Sequence, residues 1–443
     1  MPSCGPLRSL SVLVLSAPLV LGQCKASTEP EAGPAVDHSE TAYFPPVLSQ
    51  GDIGSCDWFA VTYYQMTFMQ NRARGRAVAP SNTLSPQFGY NMLNNGANYP
   101  YNICVDDVYK FVRVHGSATL AEFPYDQRYE PWCTSGTIWE AALERRIADF
   151  AFFTLRNEAP GAAYSFDQDA DFLGEIRRRI DEGEVLVVQF CTWMQIASGT
   201  IADDPSTSAD DAHVGEAIIT EGNKMPDHTL AVVGYDDNVW VDLNGDGNVQ
   251  PDEKGALKIA DSYALTSALH NKGFLWMAYR AVPTSIWLSR VNRMILRPPD
   301  YAPTVIARVA LNAWERDKIQ LQLGRSTGNT VQDVQNGAQR VVDPIGPGFE
   351  PGTRGVSLIT GAPWAFDATR DAPGDGSFAF DLTDIAGSDL GGFWYLRIKN
   401  AGDKPVIVKG FEIATAGGAR AVSDTGVPVT LGTEETYRFV QLP

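Results

Sequence analysis

Apolar residues recur along this chain with two spacings, and the change between them divides it into parts. From about Ala42 to about Pro299 helical and strand spacings mix, the helical ones first. "GSCDWFAVTYYQMTFMQNRARG", "LSPQFGYNML", "VDDVYKFVRVHG", "GTIWEAALERRIADF" and "FLGEIRRRIDEGE" each read as a helix, the last stopped by its Gly and acidic tail. Strands follow: "VLVVQFCTW", "TLAVVGYDD", "GALKIADSY" and "GFLWMAYRAV", rich in β-branched and aromatic residues. Helices first and then a sheet predict an α+β fold with a helical half and a sheet half. After "LRPPDYAPT" the character changes again, to short strands such as "KIQLQLG", "GVSLITG", "FAFDL", "FWYLRIKN", "PVIVKGFEIA" and "YRFVQL" between Gly, Asp, Asn and Pro turns. This pattern predicts an all-β sandwich over residues 300–443.

The N-terminal 24 residues differ from both parts. Arg8 precedes an apolar run from Leu10 to Leu21, which reads as a signal peptide and is too short to span a bilayer comfortably. The ending "LVLGQC" resembles a bacterial lipoprotein signal, in which Cys24 would carry the lipid; Gln23 stands where a small residue is usual, and plain secretion is the alternative. Residues 25–41 are polar and rich in Pro, Ala and acid, the composition of a flexible tether. Export to the cell envelope or beyond is the expectation.

With 443 residues, the chain exceeds one ordinary core, which agrees with a first domain over 42–299 and a second over 300–443. The formal net charge of −18 repels phosphate and so argues against nucleic-acid binding or a basic membrane-binding face. In an oxidising compartment most cysteines pair. Cys104 and Cys133, both in loop-rich polar sequence, are the expected bridge, Cys191 ends an apolar run as a core thiol, and Cys56 stays free.

A free thiol at the start of an apolar helix is suited to nucleophilic chemistry, because the helix dipole favours the thiolate and a nearby imidazole can hold the proton. Of the five histidines, His38 falls in the tether, His115 at a helix end, His213 in an acidic loop and His270 in a polar turn. Only His228, in "PDHTLAVVGYDD", stands where a rigid buried strand begins.

The chain resembles papain-like cysteine peptidases of the bacterial kind. Gln50, Gly51, Gly54, Ser55 and Cys56 match the nucleophile segment of that family, "HTLAVVGYDD" its histidine strand, and "ALKIADSY" with "GFLWMAY" its Asn-Ser-Trp and Gly-Tyr segments; "LSPQFGYNML" and "EFPYD" also fit its first half. The resemblance covers about residues 42–285 and implies a two-lobed catalytic domain acting on proteins or peptides. It makes Cys56 the nucleophile, His228 the base and later the acid, and Asp261 the third triad member. Gln50, with the Cys56 backbone N–H, would form the oxyanion hole. Asp261 stands where the family has Asn, Tyr263 where it has Trp, and Asp57 where an aromatic residue usually follows the nucleophile. The interval from Cys56 to His228 exceeds the roughly 130–150 residues expected, a surplus assigned to a surface insertion in "ASGTIADDPSTSADDAHVGEAIITEGNKMPD". The C-terminal strands, especially "GGFWYLRIKNAGDKPVIVKGFEI", weakly resemble the jelly-roll domain of proprotein convertases.

Residues 242–253, "DLNGDGNVQPDE", fit the EF-hand loop pattern. Asp242, Asn244, Asp246, Asn248, Gln250 and Glu253 would hold a structural calcium ion, with Gly247 at the sharp turn. Flanking strands place this loop at the tip of a hairpin that leads to Asp261. Three functions fit the sequence: an exported cysteine peptidase, a catalytically weakened calcium-stabilised surface binding or adhesion protein, and acyl transfer to an amine. Aromatics of the last domain (Phe393, Trp394, Tyr395, Phe411, Tyr437) are expected mainly in its core, and "RIADF" and "EIRRRIDEGE" on solvated helix faces.

Overall fold

The computed structural model describes residues 32–99, 104–155, 164–165, 169–190, 196–223, 225, 227–263, 271–286, 290–336, 341–345, 361–386, 390–423 and 427–442. The proposed signal, Cys24 and residues 25–31 of the tether, together with Cys191, His270 and residues 355–360 of "GVSLITG", lie outside the described residues.

The strands "VLVVQF" and "HTLAVV" are apolar on both faces because both faces are covered. Val185, Val187, Ala231, Val233 and Ala260 point into a cluster formed with the helical half. Leu186, Val188, Leu230, Val232 and Ile259 point the other way, onto Phe172, Ile176 and Ile180 of the helix Asp169–Asp181. The side-chain period of two splits each strand between two cores. The ten-stranded sheet runs in the order Tyr164–Ser165, Ile147–Thr154, Arg290–Leu296, Leu186–Phe190, His228–Trp240, Lys254–Ala260, Phe274–Ala278, Ala217–Glu221 and Ala197–Thr200. Its tenth strand, Ala35–Asp37, pairs with His228–Trp240.

On the first face lies the helical run that starts at Cys56. Cys56–Trp58 passes into Phe59–Met66, wound as a π-helix in which the Thr67 N–H reaches the Thr62 carbonyl, and then into Thr67–Arg74, closed by Gly75 at φ 60. All eight residues from Phe59 to Met66 are buried because the sheet and the helices Pro86–Leu93 and Val105–His115 enclose them, and the polar Gln65 among them donates to the Val185 carbonyl at 2.7 Å. Gly89 is needed here: a Cβ on it would lie 2.0 Å from the Trp58 ring.

The last third of the chain forms two antiparallel sheets. One joins Gly374–Asp381, Val305–Ala313, Val406–Thr415, Arg420–Val422 and Val429–Leu431; the other joins Val341–Ile345, Ile319–Ser326, Gly392–Asn400 and Glu435–Leu442. Val305–Ala313 alternates buried and half-buried positions along its length. Trp394, Tyr395 and Phe411 are buried as expected of core aromatics, while Phe393 and Tyr437 are only partly covered. Both sheets belong to the same apolar cluster as the helical half. Phe378 and Phe380 lie 5.4 and 6.0 Å from Trp139, and Trp132 lies 5.7 Å from Phe366. Arg146 pairs with the buried Asp381 and, at 3.0 Å, with Asp384. His115 is walled in beside Trp139 and Phe380, and its burial, reinforced by the Arg146 charge, pushes its pKa down to about 3.

Four expectations need correction. The tether does not reach residue 41: Val36 pairs with Tyr235, Asp37 meets Lys258 at 2.6 Å, and His38 is buried against Phe68 with Nε2 2.9 Å from the Ile180 carbonyl. Gly234 admits this strand, since a Cβ there would sit 2.3 Å from the Val36 carbonyl oxygen. Cys104 and Cys133 are unbridged. Cys104 sits exposed at the start of Val105–His115 with its thiol toward Asp107 at 3.3 Å, whereas Cys133 is buried, which pushes its thiol up to about 11. The helix in "GTIWEAALERRIADF" ends at Leu143, so "RIADF" is no helix face; Ile147–Thr154 pairs with Arg290–Leu296, its aromatic Phe150, Phe152 and Phe153 preferring a strand. The acidic insertion is not simply surface loop either, since Ala197–Thr200 and Ala217–Glu221 extend the sheet.

Candidate active site

The turn before the long helix places Cys56 at the first helical position. Ser55 precedes it, and the Ser55 carbonyl accepts from the N–H groups of Trp58 and Phe59 at 3.0 Å each. Gly51, at φ 62, supplies a left-handed bend that favours glycine. The turn is fastened to the sheet half through Gln50. Its backbone N–H donates to the Ser262 carbonyl at 2.9 Å, and its side-chain Oε1 accepts from the Ser262 hydroxyl at 2.5 Å. Its Nε2 donates one hydrogen to the Ile53 carbonyl at 2.9 Å, which leaves a second N–H on that amide. The Tyr125 hydroxyl, in "EFPYD", donates to the Gln50 carbonyl at 2.6 Å and lies 3.0 Å from the Ser55 hydroxyl.

From the sheet come His228 and Asp261. His228 begins its strand opposite Phe190, and Asp261 follows directly on Lys254–Ala260. Both are buried, and His228 Nε2 lies 2.7 Å from Asp261 Oδ1, which also accepts the Tyr263 N–H at 2.7 Å. Burial opposes a charged ring, but the charge and hydrogen bond of Asp261, and then the Cys56 thiol as its other neighbour, outweigh it and push the His228 pKa up to about 10. Tyr263 lies 4.6 Å from the His228 ring at 33°, an aromatic neighbour of the His–Asp pair.

The helix start and the histidine strand are joined at the residues next in sequence. The Thr229 hydroxyl donates to Asp57 Oδ1, and Gln189 Nε2 donates to the same hydroxyl oxygen at 3.1 Å. Asp57 is therefore part of the junction between the halves. Desolvation pushes its carboxyl up to about 6, against the Thr229 hydrogen bond and the His228 charge, which act the other way. Thus Cys56, His228, Asp261 and Gln50 are brought to one seam. Sequence reading missed Thr229, Ser262 and Gln189, and gave Tyr125 no role. Thr229 and Ser262 each follow a residue singled out for chemistry, and that adjacency is the one signal that could have found them.

The loop 242–253 joins His228–Trp240 to the strand Lys254–Ala260. Asp242 accepts the N–H groups of Gly245 at 2.8 Å and Gly247 at 3.0 Å, and Gly247 has φ 70. Asn244 accepts from the Asp246 N–H, and Asp246 from the Asn248 N–H and the Gln250 amide. Glu253 is buried, with its carboxylate turned back onto the N–H of Leu243 at 3.0 Å and of Asn244 at 3.3 Å. The last residue of the loop thus closes on its first turn, and the donor set is all oxygen.

No family model matches the chain, and no curated protein does. Among solved structures, the Amb a 11 cysteine protease, a ragweed pollen allergen in its proform, is similar at TM-score 0.41 and 16% identity, covering 60% of this chain and 68% of its own. A structure from work on antibody cross-reactivity between the mite allergens Blo t 1 and Der p 1 gives TM-score 0.36 and 14% identity over 64% and 75%. At these values the likeness decides neither family nor activity.

Because the Asp57 carboxyl is near 6 in the fold and 3.8 when free, the unfolded chain gives up its proton first as pH rises. Asp57 therefore subtracts stability progressively between those values. Asp57→Asn should gain thermal midpoint relative to the parent as pH rises from 4 to 6 and hold that gain above it. Parallel midpoints across the range would contradict this.

Proposed function

We propose that the chain is an exported cysteine peptidase that cleaves protein or peptide substrates through a thiol acyl-enzyme. The observation that carries this reading is His228, held by Asp261 at Nε2 with its Nδ1 buried and unpartnered, on a strand whose next residue is hydrogen-bonded to the residue after Cys56. In this reaction Cys56 Sγ, its proton held by His228, attacks the scissile carbonyl, and the peptide C–N bond breaks as His228 passes that proton to the leaving amine. Water, deprotonated by His228, then attacks the thioester, and the C–S bond breaks with Cys56 leaving as the thiolate beside the reprotonated ring. The free N–H of the Gln50 amide and the Cys56 backbone N–H stabilise the oxyanion. Asp261 orients the ring as Asn does in the family and adds a negative charge that favours the imidazolium.

The rest of the reading follows the sequence. Residues 1–24 direct export, with Cys24 the lipid anchor or the chain released, and the two C-terminal sheets form a β-sandwich domain after a catalytic unit ending near residue 299. The loop 242–253 holds calcium through Asp242, Asn244, Asp246, Asn248, Gln250 and Glu253, and the ion neutralises its carboxylates and stiffens the hairpin that ends at Asp261. The buried, back-turned Glu253 supports that assignment.

Cys56→Ala should abolish cleavage of casein or a fluorogenic peptide library and labelling by an epoxysuccinyl probe; a variant that still cleaves refutes the mechanism. His228 carries its proton below its raised pKa, so kcat/KM should fall on the alkaline side near about 10. Asp261→Asn keeps a hydrogen-bond acceptor and removes the charge, and should move that limb to lower pH. An unmoved limb would show that Asp261 does not set the ring's charge. Removal of calcium by a strong chelator should lower the thermal midpoint, and an unchanged midpoint would dismiss the ion.

A further inference from the structure

The acidic insertion carries a second set of oxygen donors that the reading above does not use. Between the strands Ala197–Thr200 and Ala217–Glu221, one carboxylate oxygen from each of Asp203, Asp210 and Asp211 lies within 4.8 Å of the other two. Asp203 and Asp211 are exposed, whereas Asp210 is completely buried. Asp210 Oδ2 accepts the Asp204 N–H at 2.9 Å, and Oδ1, buried with it, has no hydrogen-bond partner. Asp204 faces elsewhere: its carboxylate accepts from the Ser206 N–H and hydroxyl and from Lys254 Nζ at 2.9 Å.

Two costs meet at this cluster. A buried carboxylate oxygen without a partner forfeits its hydration, and three like charges at this range repel one another. One cation at their common centre removes both. The donors are carboxylate oxygens alone, with no thiolate or imidazole, which selects a hard ion over zinc or copper. Oxygens bound to one calcium at about 2.3–2.6 Å lie within about 5 Å of each other, as these do. Magnesium demands a stricter octahedron and keeps more of its water, which fits an irregular loop with a buried ligand less well.

We propose that Asp203, Asp210 and Asp211 form a calcium site separate from the loop 242–253. The ion closes a loop whose base is already tied down. Ile201 N–H donates to the Glu216 carbonyl and Ala202 N–H to the Trp240 carbonyl, each at 2.9 Å, and the Asp204–Lys254 pair fixes the loop beside Glu253. Both calcium-binding segments would then brace the same end of the sheet.

The test is calorimetric titration of calcium chloride into the full chain after chelator treatment. Asp246→Asn, which impairs the loop 242–253, should retain one binding event, and adding Asp203→Asn and Asp211→Asn to it should abolish that event. Both of these residues are exposed, so the fold is expected to survive; circular dichroism checks this. If the combined variant does not fold, Asp211→Asn alone in the Asp246→Asn background should weaken the event about tenfold or more. Unchanged stoichiometry and affinity in the variants, or no binding event in Asp246→Asn, overturns the site. Displacement of calcium by an equal concentration of magnesium overturns the choice of ion.

Discussion

The placement of every reactive group rests on two hydrogen-bonded ties across the seam between helical half and sheet. One runs from Asp57 to Thr229, the other from Gln50 to Ser262. Each joins the neighbour of one proposed catalytic residue to the neighbour of another, or to the residue itself. The nucleophile and its partners come from segments far apart in sequence, so no local preference could hold them in register. A hydrogen bond shielded from water can, fully at Gln50–Ser262 and partly at Asp57–Thr229, because breaking it would leave a donor or acceptor poorly hydrated and unpaired.

Burial has opposite consequences on the two sides of this seam. It raises Asp57 toward neutrality, and for His228 it is overcome by Asp261. Two carboxylates flank one imidazole, and the fold separates their tasks by hydrogen-bonding pattern. Asp261 takes the ring itself together with a backbone N–H, and Asp57 takes a hydroxyl. The sheet makes this separation rigid by being covered on both faces, so the strand that starts at His228 has little freedom to tilt.

Much of this was legible in the letters. The helix after Cys56, the strand after His228 and the return strand before Asp261 announce themselves by apolar period and by residue type, and their order along the chain matches the place each takes at the seam. What was not legible depends on distance in space. The pairing of Val36 with Tyr235 could be suspected only from Gly234, a glycine inside an otherwise β-branched strand. The expected bridge between Cys104 and Cys133 rested on composition, and composition does not tell a helix-start thiol from a buried one. "RIADF" misled because two charged letters among three apolar ones look alike on a helix and on a strand near an edge. Gln189 carries no motif, Thr229 and Ser262 are quoted only as members of the histidine and Asn-Ser-Trp segments, and the role of all three exists only once two remote segments touch.

The aromatic contact between Trp139 and the pair Phe378 and Phe380 makes the last third of the chain something other than cargo. Together with the buried Arg146–Asp381 pair it welds those sheets to the back of the helical half. A molecule assembled this way has no severable appendage. Heat or denaturant should melt it in a single cooperative step, and evolution could not trade its C-terminal third for another without rebuilding the wall behind Trp139.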